Sequence, residues 1–251
     1  VAQIGVGTSS SNNEALVTGA GSIWSSPALL AVGQLGSGNR LVVSNGAVVS
    51  TEGAAIVGNE AFSTSNRVVV DGGTLRATNV SGVGLLDIRR GTNVLNTGLI
   101  EVDQLLLTNA QGFFEFNGGT LITRGAFISN GLAFAVGASG ATPAVWDVRA
   151  GTSNHFLAND LLVGQNTSFN QLLVTNGALL RNAFGDLGAN AGSRSNVALL
   201  MDSGSVWSNV NDLYGGRCGS SNQLMVSDGA LVRNNGGYLG VNTVSSNNLV
   251  V

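Results

Sequence analysis

SSNNEALVTGAGSIWSSPALLAVGQLGSGNRLVVSNGAVV, running from Ser10 to Val49, returns near the far end of the chain as SRSNVALLMDSGSVWSNVNDLYGGRCGSSNQLMVSDGALV, from Ser193 to Val232. Each block holds a shorter echo of itself: an Asn, a Leu or β-branched run, Asn-Gly or Asp-Gly, a second apolar run and a Gly-Ser-Asn loop. Self-similarity at a short period marks an architecture built by stacking. Aligned on the turn glycine, the copies fall at Gly21, Gly46, Gly73, Gly98, Gly119, Gly151, Gly177, Gly204 and Gly229. The steps are nearly equal except for a short one from Gly98 to Gly119 and a long one from Gly119 to Gly151. In that irregular stretch Phe113, Phe114, Phe116, Phe127 and Phe134 crowd together.

Apolar columns follow from this alignment. Five positions before the glycine stand Leu16, Leu41, Val68, Phe114, Trp146, Leu172, Leu199 and Leu224; three before it stand Thr18, Val43, Val70, Leu95, Phe116, Val148, Val174, Met201 and Val226. Two after it come Ile23, Val48, Leu75, Ile100, Leu121, Leu179, Val206 and Leu231. A later strand carries pairs such as Leu30/Val32, Ala55/Val57 and Leu161/Val163. Alternation puts every second residue on one face of a strand. The pattern predicts an all-β parallel β-helix (β-solenoid): about nine coils of about 26 residues, three short strands each, taken as right-handed. A unit of this size cannot bury its own apolar face, so its neighbours must supply the core. The organisation expected is one solenoid over residues 1–251, cut from a longer chain, with regular coils at 1–98 and 151–251 and degenerate aromatic-rich coils at 99–150.

The punctuation repeats as well. Asn39, Asn66, Asn170, Asn196 and Asn222 each open a first strand, a spacing that predicts an axial ladder of amides. Asn45-Gly46, Asp71-Gly72, Asn176-Gly177 and Asp228-Gly229 supply the positive φ that tight corners require.

Composition excludes several classes. Hydrophobic residues make up 43% of the chain, too many for a disordered polymer, and no apolar run approaches the roughly 20 residues of a membrane-spanning helix. All eleven basic residues are Arg, and with a net charge of −3 they form no basic footprint for nucleic acid and no polybasic patch for a membrane surface. The single Cys218 forbids an internal disulfide framework.

Through LVTGAGSIW, LLAVG and GSGNRLVVSNG the chain resembles the repeats of large bacterial surface and autotransporter-like passenger proteins. The match covers about residues 1–75 and 160–251. The resemblance implies a secreted β-solenoid stalk or adhesin exported through an outer membrane. Its partners would be neighbouring copies or flanking repeats of the same chain, a surface glycan or a host cell-surface protein.

Chemistry has few places to reside. Asp160, Asp186 and Asp212 recur at equal intervals of one coil, each before a Leu. Stacked, their carboxylates would lie about 5 Å apart and would raise a pKa or recruit a cation. Oxygen-only ligation suits calcium, the one cofactor the sequence suggests. The competing expectation is that each Asp accepts backbone N–H groups at a corner. His155, the only histidine, reads as a loop residue, with Asp147 or Asp160 as conceivable partners. Trp24 and Trp207 share the position three after the glycine with Arg76 and Glu101, a mixture that predicts an outward or rim site for contact with glycan or a partner chain. Four before the glycine, Val17, Val42, Val69, Val94, Leu173, Leu200 and Met225 predict an outward apolar stripe suited to lateral association, interrupted by Glu115 and Asp147. The function expected is therefore a non-enzymatic, extracellular structural or adhesive segment, with a carbohydrate-active β-helix (lyase or hydrolase) and a filament subunit as alternatives.

Overall fold

The computed structural model describes all 251 residues, with 28 strands and no helix. Its parallel sheets rise through about ten turns of about 26 residues, a β-solenoid. The chain packs as two compact units, Val1–Glu115 with Phe127–Asn130, and Phe116–Ala126 with Gly131–Val251.

In the first unit three files of parallel strands make up the turn. The first file holds Glu14–Thr18, Arg40–Ser44 and the opening halves of Asn66–Ala77 and Gly91–Val102. The second holds Ile23–Ser26, Val48–Thr51 and the closing halves of the same two long strands. The third holds Ala2–Ile4, Leu29–Val32, Ala54–Val57, Leu85–Ile88 and Gln104–Leu107. Leu41, Val43, Val68, Val70, Val49, Leu75, Ile100, Val57, Ile88 and Leu105 point inward and are buried. One inward polar residue, Asn93, pairs with Val68 in register and has no hydrogen-bond partner for its amide.

The second unit repeats this plan. Gln171–Thr175, Val197–Leu200, Gln223–Val226 and Leu249–Val250 form one file. Leu179–Asn182, Val206–Asn209 and Leu231–Arg233 form another. Phe134–Val136, Leu161–Val163, Gly185–Leu187, Leu213–Gly215 and Gly237–Leu239 form the third. Here the core is aromatic: Phe134 packs 4.8 Å from Trp146, centroid to centroid, and 6.5 Å from Phe116.

The Asn-Gly pairs make corners between files. Asn45 and Gly46 both take positive φ (52° and 81°), as do Asn176 and Gly177 (57° and 77°). In an isolated ribbon this dipeptide would reverse the chain. Here the flanking strands Arg40–Ser44 and Val48–Thr51 each pair in parallel with the coils above and below instead.

The amide ladder is present and has a second component. The backbone N–H and the Nδ2 of Asn170 both donate to Oδ1 of Asn196 (3.0 and 2.8 Å), Asn196 does the same to Asn222, and Asn222 to Asn248. In the first unit Asn13 donates to Asn39, and Asn39 to Asn66, in the same way. Each buried amide also lies against a glycine that ends a third-file strand: Gly5 with Asn39, Gly33 with Asn66, Gly137 with Asn170, Gly164 with Asn196 and Gly188 with Asn222. These glycines take φ of 70° to 79°, and a Cβ on any of them would overlap the Asn side chain. Two requirements, left-handed backbone and empty space, thus fall on one atom position.

Register departs from the glycine-anchored columns by single positions. The corner Thr18-Gly19-Ala20-Gly21 is one position longer than Ser44-Asn45-Gly46, so Leu16 pairs with Val42 and Val17 with the core residue Val43. Leu200 likewise pairs with the core residue Val174 and is buried, while Leu199 pairs with Leu173 and Met225 on the outer face. In the second file the inward residues sit one, three and five after the glycine, as Ala47, Val49 and Thr51 or Ser205, Trp207 and Asn209. Shifting a strand by one position exchanges its faces.

The long step between Gly119 and Gly151 contains an additional strand. Within it lie Gly119–Thr123, Ala126–Ile128, Phe134–Val136 and Ala144–Arg149. Consequently Gly119–Thr123, which follows its glycine, pairs with Ala144–Arg149, which precedes the next one, and Trp146 stands opposite Leu121 rather than Phe114.

The ladder predicts its own sensitivity. Asn196→Ala removes the acceptor of two buried donors on Asn170 and should lower stability by about 2–4 kcal/mol. Asn190→Ala, which removes the exposed bond to Asn166, should cost less than about 1 kcal/mol. Urea unfolding followed by circular dichroism measures both.

Candidate functional site

The acidic column does not form as three stacked carboxylates. Leu161 pairs with Gly185 and Gly185 with Leu213, which sets Asp160 and Asp212 level with Phe184. Asp186 lies two positions further along, between Leu162 and Tyr214. The cause is unequal coil length: the coil from Leu161 to Gly185 is shorter than the one from Gly185 to Leu213, a difference that the constant spacing of the aspartates conceals. Asp160 accepts the N–H of Phe184 (3.2 Å) and Asp212 that of Gly236 (2.9 Å), each bracing the coil that follows. Nowhere in the chain do three or more His, Cys, Asp or Glu side chains gather in a way that could hold a metal ion.

Asp186 acquires different surroundings. Its side chain is 2% exposed on the outer side of Gly185–Leu187, with Oδ2 2.7 Å from Nε of Arg217 and Oδ1 without a hydrogen-bond partner. The Arg217 guanidinium lies 4.0 Å from the ring centroid of Tyr214, which stacks on Tyr238 at 5.2 Å and 16°. The Tyr214 hydroxyl donates to Asp212 Oδ2 at 3.3 Å. Acid, base and aromatic groups from successive coils thus meet on one sheet. Burial, countered by Arg217 and reinforced by Asp160, pushes the Asp186 carboxyl up to about 6.

His155 is a core residue, not a loop residue. It points inward from His155–Leu157, and its Nε2 lies 2.8 Å from Thr123 Oγ1, which also accepts a hydrogen bond from Trp146 Nε1 at 2.9 Å. Desolvation pushes its pKa down to about 4 against weaker opposing contacts with Thr123 and Leu179. The sequence cue that hid this was the polar run Thr152-Ser153-Asn154 before it.

Trp207 is likewise internal. It is fully buried, and its Nε1 donates to Asn182 Oδ1 at 2.7 Å, which removes it from any glycan contact. Trp24 shares its inward parity and is half-buried. The apparent mixture with Arg76 and Glu101 has two causes: Gly73 is not the left-handed glycine of its corner, and register shifts on either side of Thr97 set Gly98 level with Gly73. The left-handed glycine of the Asp71 corner is Gly72, and Leu75 and Ile100 are the inward residues there.

The outward stripe also changes composition. In the first unit Leu16 is exposed, Val42 is half-buried, and Val69 and Val94 are buried. The Arg67–Glu115 ion pair (2.7 Å) joins strands on either side of the one that carries Val94. In the second unit the register is Ile122, Asp147, Leu173, Leu199 and Met225, of which Met225 is 39% exposed. Val17 and Leu200 leave the stripe for the inner face.

A concavity that sequence reading missed occupies one corner of the first unit. The third-file strands are followed by long loops at residues 58–65 and 108–112, but after Leu85–Ile88 only Arg89 and Arg90 intervene before the next strand. The short corner leaves a notch between the two loops. On one side is a depression of about 520 Å3 lined by Asn59, Glu60, Asp87, Arg89, Arg90 and Asn109, among others. On the other is one of about 330 Å3 that includes Thr64, Ser65, Arg90, Thr92, Gln111 and Phe113. The signal was in the sequence, where Ile88-Arg89-Arg90-Gly91 replaces the longer Gly-Ser-Asn loop. Comparison with family models, curated proteins and solved structures finds no match to the chain.

Two buried groups give stability opposite pH dependences. The unfolded chain protonates His155 near 6.5, so stability is lost as pH falls from there towards about 4, by about 2 kcal/mol between pH 7 and 5. Asp186 is destabilising when ionised, and protonation below about 6 relieves this, returning about 1 kcal/mol over the same interval. His155→Leu should therefore become more stable on going from pH 7 to 5, and Asp186→Asn should lose more stability than the unaltered protein. Denaturant titrations at the two pH values provide the comparison.

Proposed function

We propose that this chain is a non-enzymatic segment of an extracellular bacterial surface protein, a passenger-type solenoid that displays other parts of its polypeptide. The observation that carries this reading is the buried asparagine ladder with its glycine seats. It joins successive coils at Asn13, Asn39 and Asn66 and at Asn170, Asn196, Asn222 and Asn248 through polar contacts that recur with the repeat. The resemblance of LVTGAGSIW and GSGNRLVVSNG to passenger repeats supports the location outside the cell, with export through an outer membrane. Flanking repeats or neighbouring copies are its natural partners, and the Leu173–Leu199–Met225 stripe offers an apolar surface for lateral association.

Antibodies raised against residues 1–251 should label intact cells of the source bacterium, and added protease should remove the epitope without lysis. Labelling confined to lysed cells would overturn the display reading.

One observation favours a carbohydrate-active alternative: Asp186, Arg217, Tyr214 and Asp212 converge on one sheet, and a carboxyl raised to about 6 is suited to acid–base work. That alternative predicts release of reducing ends or unsaturated sugars from a polysaccharide panel, abolished in Asp186→Asn. The display reading predicts no turnover in either protein.

A further inference from the structure

The notch over Arg90 is framed on three sides by hydrogen bonds. Its lower wall, residues 58–65, is held by Ser63, whose buried hydroxyl proton is shared between the Gly33 and Gly36 carbonyls and whose oxygen accepts from Asn66 Nδ2. Its upper wall, residues 108–112, is closed by Asn109, which accepts N–H groups from Gln111 and Gly112, and is tied by Asn130 Nδ2 to the Gly112 carbonyl. The floor is pinned where the N–H groups of Arg89 and Arg90 both donate to the Val57 carbonyl (3.0 and 3.3 Å). Little ordering therefore remains to be done when a ligand arrives.

The two arginines differ in what they have left to give. Arg89 is committed: Nε lies 2.7 Å from Asp87 Oδ2, whose side chain is 8% exposed, and Nη1 donates to Asn59 Oδ1. Arg90 borders both depressions, and its side chain makes one hydrogen bond, Nη1 to the Asn59 carbonyl at 3.3 Å, and no ion pair. A guanidinium with most of its fork unoccupied selects a planar bidentate anion such as a carboxylate. Thr64, Ser65, Thr92 and Gln111 surround it with hydroxyl and amide groups, and Phe113, 42% exposed, offers an apolar ring. Glu60 and Asp87 balance the two arginines in formal charge, so a densely charged polyanion such as nucleic acid meets no excess of cations. A ligand with one carboxylate per ring, many hydroxyls and an apolar C–H face matches the open fork of Arg90, the hydroxyl and amide groups around it and the Phe113 ring.

We propose that this notch binds uronic-acid residues of an acidic polysaccharide, with the carboxylate on Arg90 and the sugar face on Phe113. The inference concerns the first unit alone and stands whether or not the display reading holds. It is tested by calorimetric titration of the full chain with oligogalacturonate, oligomannuronate and hyaluronan oligosaccharides, alongside methyl-esterified oligogalacturonate. At least one acidic oligomer should bind. For that oligomer Arg90→Gln should weaken binding at least tenfold, Arg90→Lys less, and Phe113→Ala severalfold, with circular dichroism unchanged. Arg40→Gln, which alters an arginine paired with Glu14 elsewhere on the unit, should bind as the unaltered chain does. Failure of all three acidic oligomers to bind, equal binding of the ester and the acid, or undiminished binding by folded Arg90→Gln would each overturn the proposal.

Discussion

The structure depends on a side-chain amide that does the work of a strand. Along Asn13–Asn39–Asn66 and Asn170–Asn196–Asn222–Asn248 each Asn donates its own N–H and its Nδ2 to the Oδ1 of the Asn one coil on, which continues the hydrogen-bonded stacking of the strands through a corner where the backbone ladder stops. The arrangement is tolerated only because a glycine, left-handed and without a Cβ, backs each buried amide. Buried polar networks strengthen a fold when every member is satisfied and weaken it when one is missing. Repetition is thereby enforced: Gly and Asn must recur together, one coil apart in the stack, as in Gly33 with Asn66 and Gly137 with Asn170.

Local chemistry decided which features could be read from sequence. The ladder positions, the Asn-Gly corners and the parallel β-solenoid were legible because each rests on a residue type with one physical use. Inward and outward assignment was less secure, because it depends on counting through turns of unequal length. One added position in the Thr18–Gly21 corner moved Val17 inward and Leu16 outward, and a similar shift buried Leu200. Trp207 and Asp186 were misplaced for related reasons. The choice of anchor glycine displaced the first, and a short coil followed by a long one displaced the second while leaving the aspartates evenly spaced in sequence.

Neither site of chemical interest was visible as a motif. Asp186 becomes unusual only when the next coil lays Arg217 and Tyr214 against it. The notch exists because a loop is missing, and its walls belong to coils on either side of Arg90. In a stacked fold a site is assembled from residues about one turn apart, so its members are distant in sequence and individually ordinary. Departures from the repeat, the short Arg89-Arg90 corner among them, are the trace such sites leave.

The extra strand between Gly119 and Gly151 bears on how such proteins change over time. Because Ala144–Arg149 rests on Gly119–Thr123, the motif that would continue directly above its predecessor is carried one file round the axis, with parallel pairing intact on both sides. A whole strand can therefore be inserted with parallel pairing kept on both sides. Gain or loss of one strand acts as an indexing step: the motif that follows begins on a different strand of its predecessor, and the pairing of strand on strand is unchanged.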